Sequence, residues 1–311
     1  MSGGALLGIS FAPSYLWIIL LSIPLGFGGG SVDASLNNYV ATHFKSHHMN
    51  WLHSFWGVGA TLGPIIMGSF LLNNSWHKGY RTIALIQLCL AAVLFLSLPL
   101  WKKHKDHTIA ENGEEDLNLQ PDKHLLTKKG VVFALATFIF YVAVEMSVGL
   151  WGSSYLVQIK HISIDTAAKW IALYYGGITL GRFISGFVSF KLSNTQMIRY
   201  GALISLVGAI LLLLPLADTL LMLSFVLLGM GFAPIFPSMI HETPSRFGRN
   251  NSAVIIGYQM AAAYTGSAII PPLLGVAGRN ISMNIFPPFV VITILLILIS
   301  SEVLTIKTRR G

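Results

Sequence analysis

Nine stretches of about 20 apolar residues dominate this chain, and no other feature constrains its fold as strongly. A helix rising 1.5 Å per residue needs roughly 20 apolar residues to cross a 30 Å hydrocarbon layer. The runs are 15–40, 51–72, 81–101, 131–156, 167–190, 198–216, 220–240, 252–275 and 285–306. Residues 3–11 are apolar too, but too few to span. Inside a bilayer the backbone must satisfy its own hydrogen bonds, so runs of this length predict helices. Short polar turns join most of them. The exception is 102–129, KKHKDHTIAENGEEDLNLQPDKHLLTKK, which is charged and poor in aromatics and is predicted to be flexible. It divides the chain into a bundle at 1–101, a linker at 102–129 and a six-helix bundle at 130–311. The fold class predicted is therefore all-α, integral to the membrane, with two bundles.

Composition agrees. Charged residues make up 10% of the chain and mean hydropathy is +0.68, against about 25% charged residues in soluble domains. The net charge of +8 could point to nucleic acid, but its distribution explains it better. With 102–129 placed in the cytoplasm, that side holds Lys45, Lys102, Lys103, Lys105, Lys123, Lys128, Lys129, Arg182, Lys191, Arg199, Arg246, Arg249, Lys307, Arg309 and Arg310. The other side holds Lys78, Arg81, Lys160, Lys169 and Arg279. Fifteen against five is the bias expected of a multi-pass membrane protein, with the C-terminus cytoplasmic. It argues against a nucleic-acid partner and for the lipid bilayer as the chain's surroundings. Cys89 is the single cysteine, which excludes a disulfide framework and a cysteine metal site. The first residues lack the basic segment of a cleavable signal peptide.

Polar chemistry concentrates in residues 21–72. Gly26, Gly30, Asp33 and Asn37 are spaced 4, 3 and 4 apart and so share one helix face. Small residues let membrane helices approach closely, and an intramembrane acid is costly enough to suggest function. The same region has a weak copy further on. LGFGGGSVDAS at Leu25 aligns with LGMGFAPIFPS at Leu228, an offset of 203 that also relates Ala60 and Gly63 to Ala263 and Gly266. Parallel repeats of this kind build one class of transporter. The offset maps Val131 to a position about 70 residues ahead of Met1, so a twelve-helix parent lacking two helices and most of a third is expected.

The motifs along the chain resemble the major facilitator superfamily, and within it the fucose-permease-like branch of sugar:proton symporters. Gly59-Ala-Thr-Leu-Gly63-Pro64-Ile-Ile-Met-Gly68 is similar to the glycine–proline motif of the fifth helix, and Asn50-Trp-Leu-His53-Ser-Phe-Trp-Gly57 to the entry of that helix. Tyr141-Val-Ala-Val-Glu145-Met-Ser-Val-Gly149-Leu-Trp151 looks like the seventh helix. Gly181-Arg182-Phe-Ile-Ser-Gly186 with Lys191 resembles the second-half loop motif. The resemblance begins at the end of the family's third helix, so the acid of the first helix and the first-half loop motif have no counterpart here. It implies uptake of a sugar or related polar solute with a proton, by alternating access at the plasma membrane, without cofactor or obligate protein partner. Two other readings remain: an inactive or partner-dependent fragment of such a protein, and a drug or metabolite exporter, since antiporters share the glycine–proline motif.

The side chains suited to that work can be named, each with an ordinary alternative. Asp33 and Glu145 stand far from any predicted span end, on different helices and at different depths. Burial favours the neutral carboxyl, so either could carry a proton, or cap a helix contact. Asn37, on the face of Asp33, and Gln259 could bind sugar hydroxyls as donors and acceptors, or hold helices together. Trp151 and Phe236 could stack on a sugar ring, and His53 could face the cavity. Arg182, Lys191 and Glu242 are expected at cytoplasmic helix ends as an inner gate, with Glu242 as Arg182's partner. His43, His47, His48 and His53 have no carboxylate or cysteine nearby in sequence, so no metal site is expected. No Ser/His or His/Glu constellation suggests an enzyme.

Overall fold

The computed structural model describes residues 1–71, 75–112, 122 and 124–309. Among them there is no strand. The helices are α1 (Ser2–Ile9), α2 (Tyr15–His43), α3 (Ser46–Leu71), α4 (Trp76–Asn112), α5 (Val131–Gln158), α6 (Ile164–Val188), α7 (Asn194–Leu213), α8 (Asp218–Phe232), α9 (Ile235–His241), α10 (Thr243–Phe247), α11 (Arg249–Asn280) and α12 (Phe286–Arg309). Eight segments of the described residues are long and apolar enough to cross a membrane. The expected run at 51–72 is the one that falls short. Its helix α3 has 26 residues, long enough by length, but it opens with Ser46, His47, His48, Asn50, His53 and Ser54.

Two expected boundaries moved. The predicted run 220–240 breaks between α8 and α9 at Ala233 and Pro234. Proline lacks the N–H that would continue the ladder and its ring crowds the preceding turn. In the aligned first copy α2 runs unbroken through the same stretch. The segment expected to be flexible from 102 instead stays helical to Asn112. Residues 113–121 and 123 of it lie outside the described residues. Its end is docked: Asp122 Oδ2 lies 2.5 Å from Lys128 Nζ and accepts from Asn251 Nδ2 at 3.1 Å. These two donors hold the Asp122 carboxyl below the usual range. Beside it Leu125 packs among Val131, Ala134, Phe247, Ile255 and Leu304.

The chain forms two compact units, Met1–Ser35 with Val58–Gln120, and Leu36–Gly57 with Pro121–Gly311. The division therefore runs across α2 and α3. In the first unit α1 packs on α4, where His77 Nδ1 lies 3.1 Å from the Ser10 carbonyl and Arg81 lies over the Phe11 ring at 4.4 Å. In the second, α5 is central, packed on α11 and α12, while α8 lies against α6 and α7. Its buried positions Ala134, Phe138, Tyr141, Glu145, Val148 and Gly152 recur at the helical spacing of three and four. Backbones meet directly where side chains are missing. A Cβ on Gly229 would lie 2.2 Å from the Tyr174 carbonyl oxygen, and one on Gly266 2.6 Å from that of Ile139. Such contacts carry helix association in lipid, where apolar burial alone gives no preference. The result is a bundle whose axis helix turns Tyr141 and Glu145 inward.

Candidate functional site

Glu145 follows Tyr141 by one turn, so both project from the same side of α5. From α6, Arg182 reaches the Glu145 carboxylate: Nη2 donates to Oε1 at 3.1 Å, and both side chains are 4% exposed. Arg182 was expected at a cytoplasmic helix end with Glu242. It stands six residues inside the end of α6 at Val188, buried, and its partner is Glu145. It therefore leaves the loop charges that set orientation, and fourteen against five still favour the same side. Glu242 instead pairs with Arg246 one turn away and accepts from Thr195 Oγ1 at 2.7 Å.

Around the pair the other contacts are long or spent on backbone. Arg182 Nη1 points to the His53 carbonyl at 3.4 Å and Nη2 to the Tyr141 hydroxyl oxygen at 3.5 Å. Arg182 Nε is buried with no hydrogen-bond partner. Tyr141 donates its hydroxyl to the Phe232 carbonyl at 3.0 Å, and Tyr174 donates to the Glu145 carbonyl at 3.0 Å. Trp56 covers the guanidinium at 5.0 Å. His53 Nε2 lies 3.0 Å from Asn37 Oδ1, so with the amide oxygen accepting, the Nε2–H tautomer donates. Asn37 Nδ2 in turn points to Met260 Sδ at 3.8 Å. Phe236 sets its ring against His53 at 5.1 Å, Phe138 at 5.2 Å and Tyr141 at 5.8 Å.

Four of the expected residues thus meet, Glu145, His53, Asn37 and Phe236, joined by Arg182 from the expected gate. The rest lie elsewhere. Trp151 donates its indole N–H to the Pro271 carbonyl at 2.8 Å and lies over Gly275 as a strut between α5 and α11. Gln259 accepts from Thr243 Oγ1 at 3.0 Å and lines a small cavity with Phe138, Glu242, Arg246 and Ser301. Lys191 is exposed just past α6. Asp33, partly buried on α2, belongs to the first unit. Trp56, Tyr141 and Tyr174 join them. Tyr141 stands four residues from Glu145, and the sequence offers Trp56 and Tyr174, like Trp151 and Phe236, as aromatics able to stack on a sugar ring. The histidines form no cluster of three metal-ligating side chains among the described residues. At that end the turn after α2 is tied to the bundle: Ser46 Oγ donates to Asn194 Oδ1 at 2.5 Å, and Asn194 Nδ2 lies 2.9 Å from His241 Nδ1. His241 Nε2 lies 2.9 Å from the Phe44 carbonyl.

A charged pair buried within a bundle of membrane-length helices, ringed by aromatic and amide side chains, is the kind of interior that solute carriers place along their paths. The comparison with known proteins agrees. Residues 1–271 match the Major Facilitator Superfamily. The chain belongs to this family. Among its relatives is the glucose/mannose transporter GlcP of Bacillus subtilis, 24% identical over 297 residues, covering 90% of this chain and 71% of that protein. A putative glucose/galactose transporter of Helicobacter pylori strain 26695 is 23% identical over 250 residues, covering 74% of this chain and 58% of that protein. The crystal structure of the facilitator-superfamily transporter FucP in its outward conformation superposes with a TM-score of 0.73 at 12% identity, covering 97% of this chain and 79% of that one. The chain is thus a multi-pass membrane protein of the facilitator fold.

Proposed function

We propose that this chain is a secondary transporter of the plasma membrane that takes up a sugar or related small polar solute with a proton, by alternating access. The observation that carries the reading is the buried Glu145–Arg182 pair. Ionised, the two groups neutralise each other; with a proton on Glu145 the attraction is gone and Arg182 is free to move or bind. A pair with two such arrangements is an element that a proton can bias, and a solute at the neighbouring Asn37, His53 and Phe236 can bias it too. Amide and imidazole groups offer donors and acceptors to hydroxyls, and Phe236 and Trp56 offer apolar plates to a ring. The glucose/mannose and glucose/galactose transporters among the relatives support the solute class.

The test is uptake by the chain in liposomes, with an inward proton gradient and a panel of hexoses, polyols and hexose-derived acids. At least one solute should accumulate above its external concentration and collapse when a protonophore is added. Glu145→Gln should keep exchange of that solute but lose accumulation. Accumulation that survives in Glu145→Gln would remove Glu145 from proton coupling, and absence of uptake across the panel would refute the transporter reading.

A further inference from the structure

The Glu145–Arg182 pair also constrains the charge of the solute. A guanidinium has five N–H donors and satisfies a carboxylate best through two parallel bonds of about 2.7–2.9 Å. Here Glu145 takes one bond at 3.1 Å, the next two contacts are 3.4 and 3.5 Å, and Nε is buried without a partner. Three of the five N–H groups thus have partners, two of them at long distance, and Nε has none in the interior, where leaving a donor unmet is costly. Trp56, whose ring lies 5.0 Å from the guanidinium, is itself 44% exposed.

Charge balance points the same way. The titratable groups around the pair are His53, Tyr141, Tyr174 and Tyr175, and the Tyr141 and Tyr174 hydroxyls are donated to backbone carbonyls. With Glu145 ionised the pair is neutral. With Glu145 protonated, a neutral solute would leave a lone guanidinium in low dielectric, which burial disfavours strongly. A solute with one negative charge restores neutrality and supplies two oxygens to a fork that has donors to spare. Resting on the transporter reading above, we propose that the solute is a small polyhydroxy anion, such as a sugar acid, whose carboxylate takes the place of Glu145 on Arg182. The proton that enters on Glu145 and the anion that enters on Arg182 travel together, and each leaves on the far side when the Glu145–Arg182 pair re-forms. The loaded and empty sites then carry the same net charge, so transport is electroneutral.

The experiment uses the purified chain in detergent and then in liposomes, with D-glucuronate and D-glucose as probes. In thermal-shift titrations D-glucuronate should stabilise the chain and D-glucose should not. The apparent affinity for D-glucuronate should rise about tenfold for each unit of falling pH while Glu145 is ionised, because one proton is taken up with each anion. Glu145→Gln removes the competing carboxylate and should bind D-glucuronate at least about tenfold more tightly at pH 7.5. Arg182→Gln should lose the response, and Arg182→Lys, with the charge but not the fork, should keep a weakened one. Because Glu145→Gln is expected to gain affinity, the idea stays testable even if Arg182→Gln fails to fold. Weaker D-glucuronate binding in Glu145→Gln would overturn the proposal. Proton-driven uptake of D-glucose that D-glucuronate does not inhibit would also overturn it, while leaving the transporter reading standing. Binding and uptake of neither class would refute both.

Discussion

Replacing Arg182 by methionine isolates the Glu145 carboxylate, and the size of the effect can be worked out from its burial. Methionine is flexible and apolar and can fill much of the vacated space. What remains is a carboxylate with a 4% exposed side chain and no cation beside it. Breaking a buried pair this way typically costs about 3–5 kcal/mol. The carboxyl has an escape, which is to take a proton. That costs about 1.36 kcal/mol for each pH unit above the ordinary glutamate value near 4.3. The penalty should therefore be about 1 kcal/mol at pH 5, about 3.7 at pH 7 and about 5 at pH 8. The sign is fixed by linkage: the folded variant holds one more proton than its unfolded chain, so its stability falls as pH rises. Adding Glu145→Gln to Arg182→Met removes the titrating group, and the remaining loss should be small and flat with pH. Thermal unfolding of the native chain, the single variant and the double variant in one detergent, at pH 5, 6, 7 and 8, reads these differences directly. A gap between native and Arg182→Met that stays constant from pH 5 to 8 would refute the reasoning. So would a double variant no more stable than the single one at pH 8.

Three further outcomes follow from single contacts. Gly229→Ala should destabilise the chain by about 1–3 kcal/mol in thermal unfolding, because the new Cβ would sit 2.2 Å from the Tyr174 carbonyl; Gly26→Ala, inside α2 with nothing within 4 Å of its Cβ, should not lower the midpoint and should raise it by the equivalent of up to about 1 kcal/mol. Trp151→Phe removes the indole donor from the Pro271 carbonyl and should cost about 1–3 kcal/mol, seen as a lower unfolding midpoint. Asn194→Ala cuts the link between Ser46 and His241 and should speed amide exchange at residues 44–48 with little change around Gly229; unchanged exchange there would mean the bond does not hold the turn.

Much of this architecture was legible because the bilayer imposes its own arithmetic. Twenty apolar residues per crossing leave few other readings, and the glycine and proline punctuation of 59–68 and 181–186 adds a family likeness. Glu145 could be singled out because a carboxyl deep within an apolar run has few bland explanations. Its partner could not be found the same way. Arg182 stands near the polar end of its run, six residues before Val188, where arginine usually marks topology, and only the packing of α5 on α6 turns it inward. Trp151 shows the opposite difficulty: an indole facing a sugar and an indole tied to a proline-bearing helix look alike until Pro271 offers its carbonyl. Asn37 and His53 come from helices α2 and α3 and Phe236 from α9, a juxtaposition with sequence separations up to 199 that no periodicity encodes. What a sequence of this kind states clearly is which residues are too costly to be idle in lipid. Which of them meet is decided by backbone contacts such as Gly229 against Tyr174, and those are set by the absence of side chains.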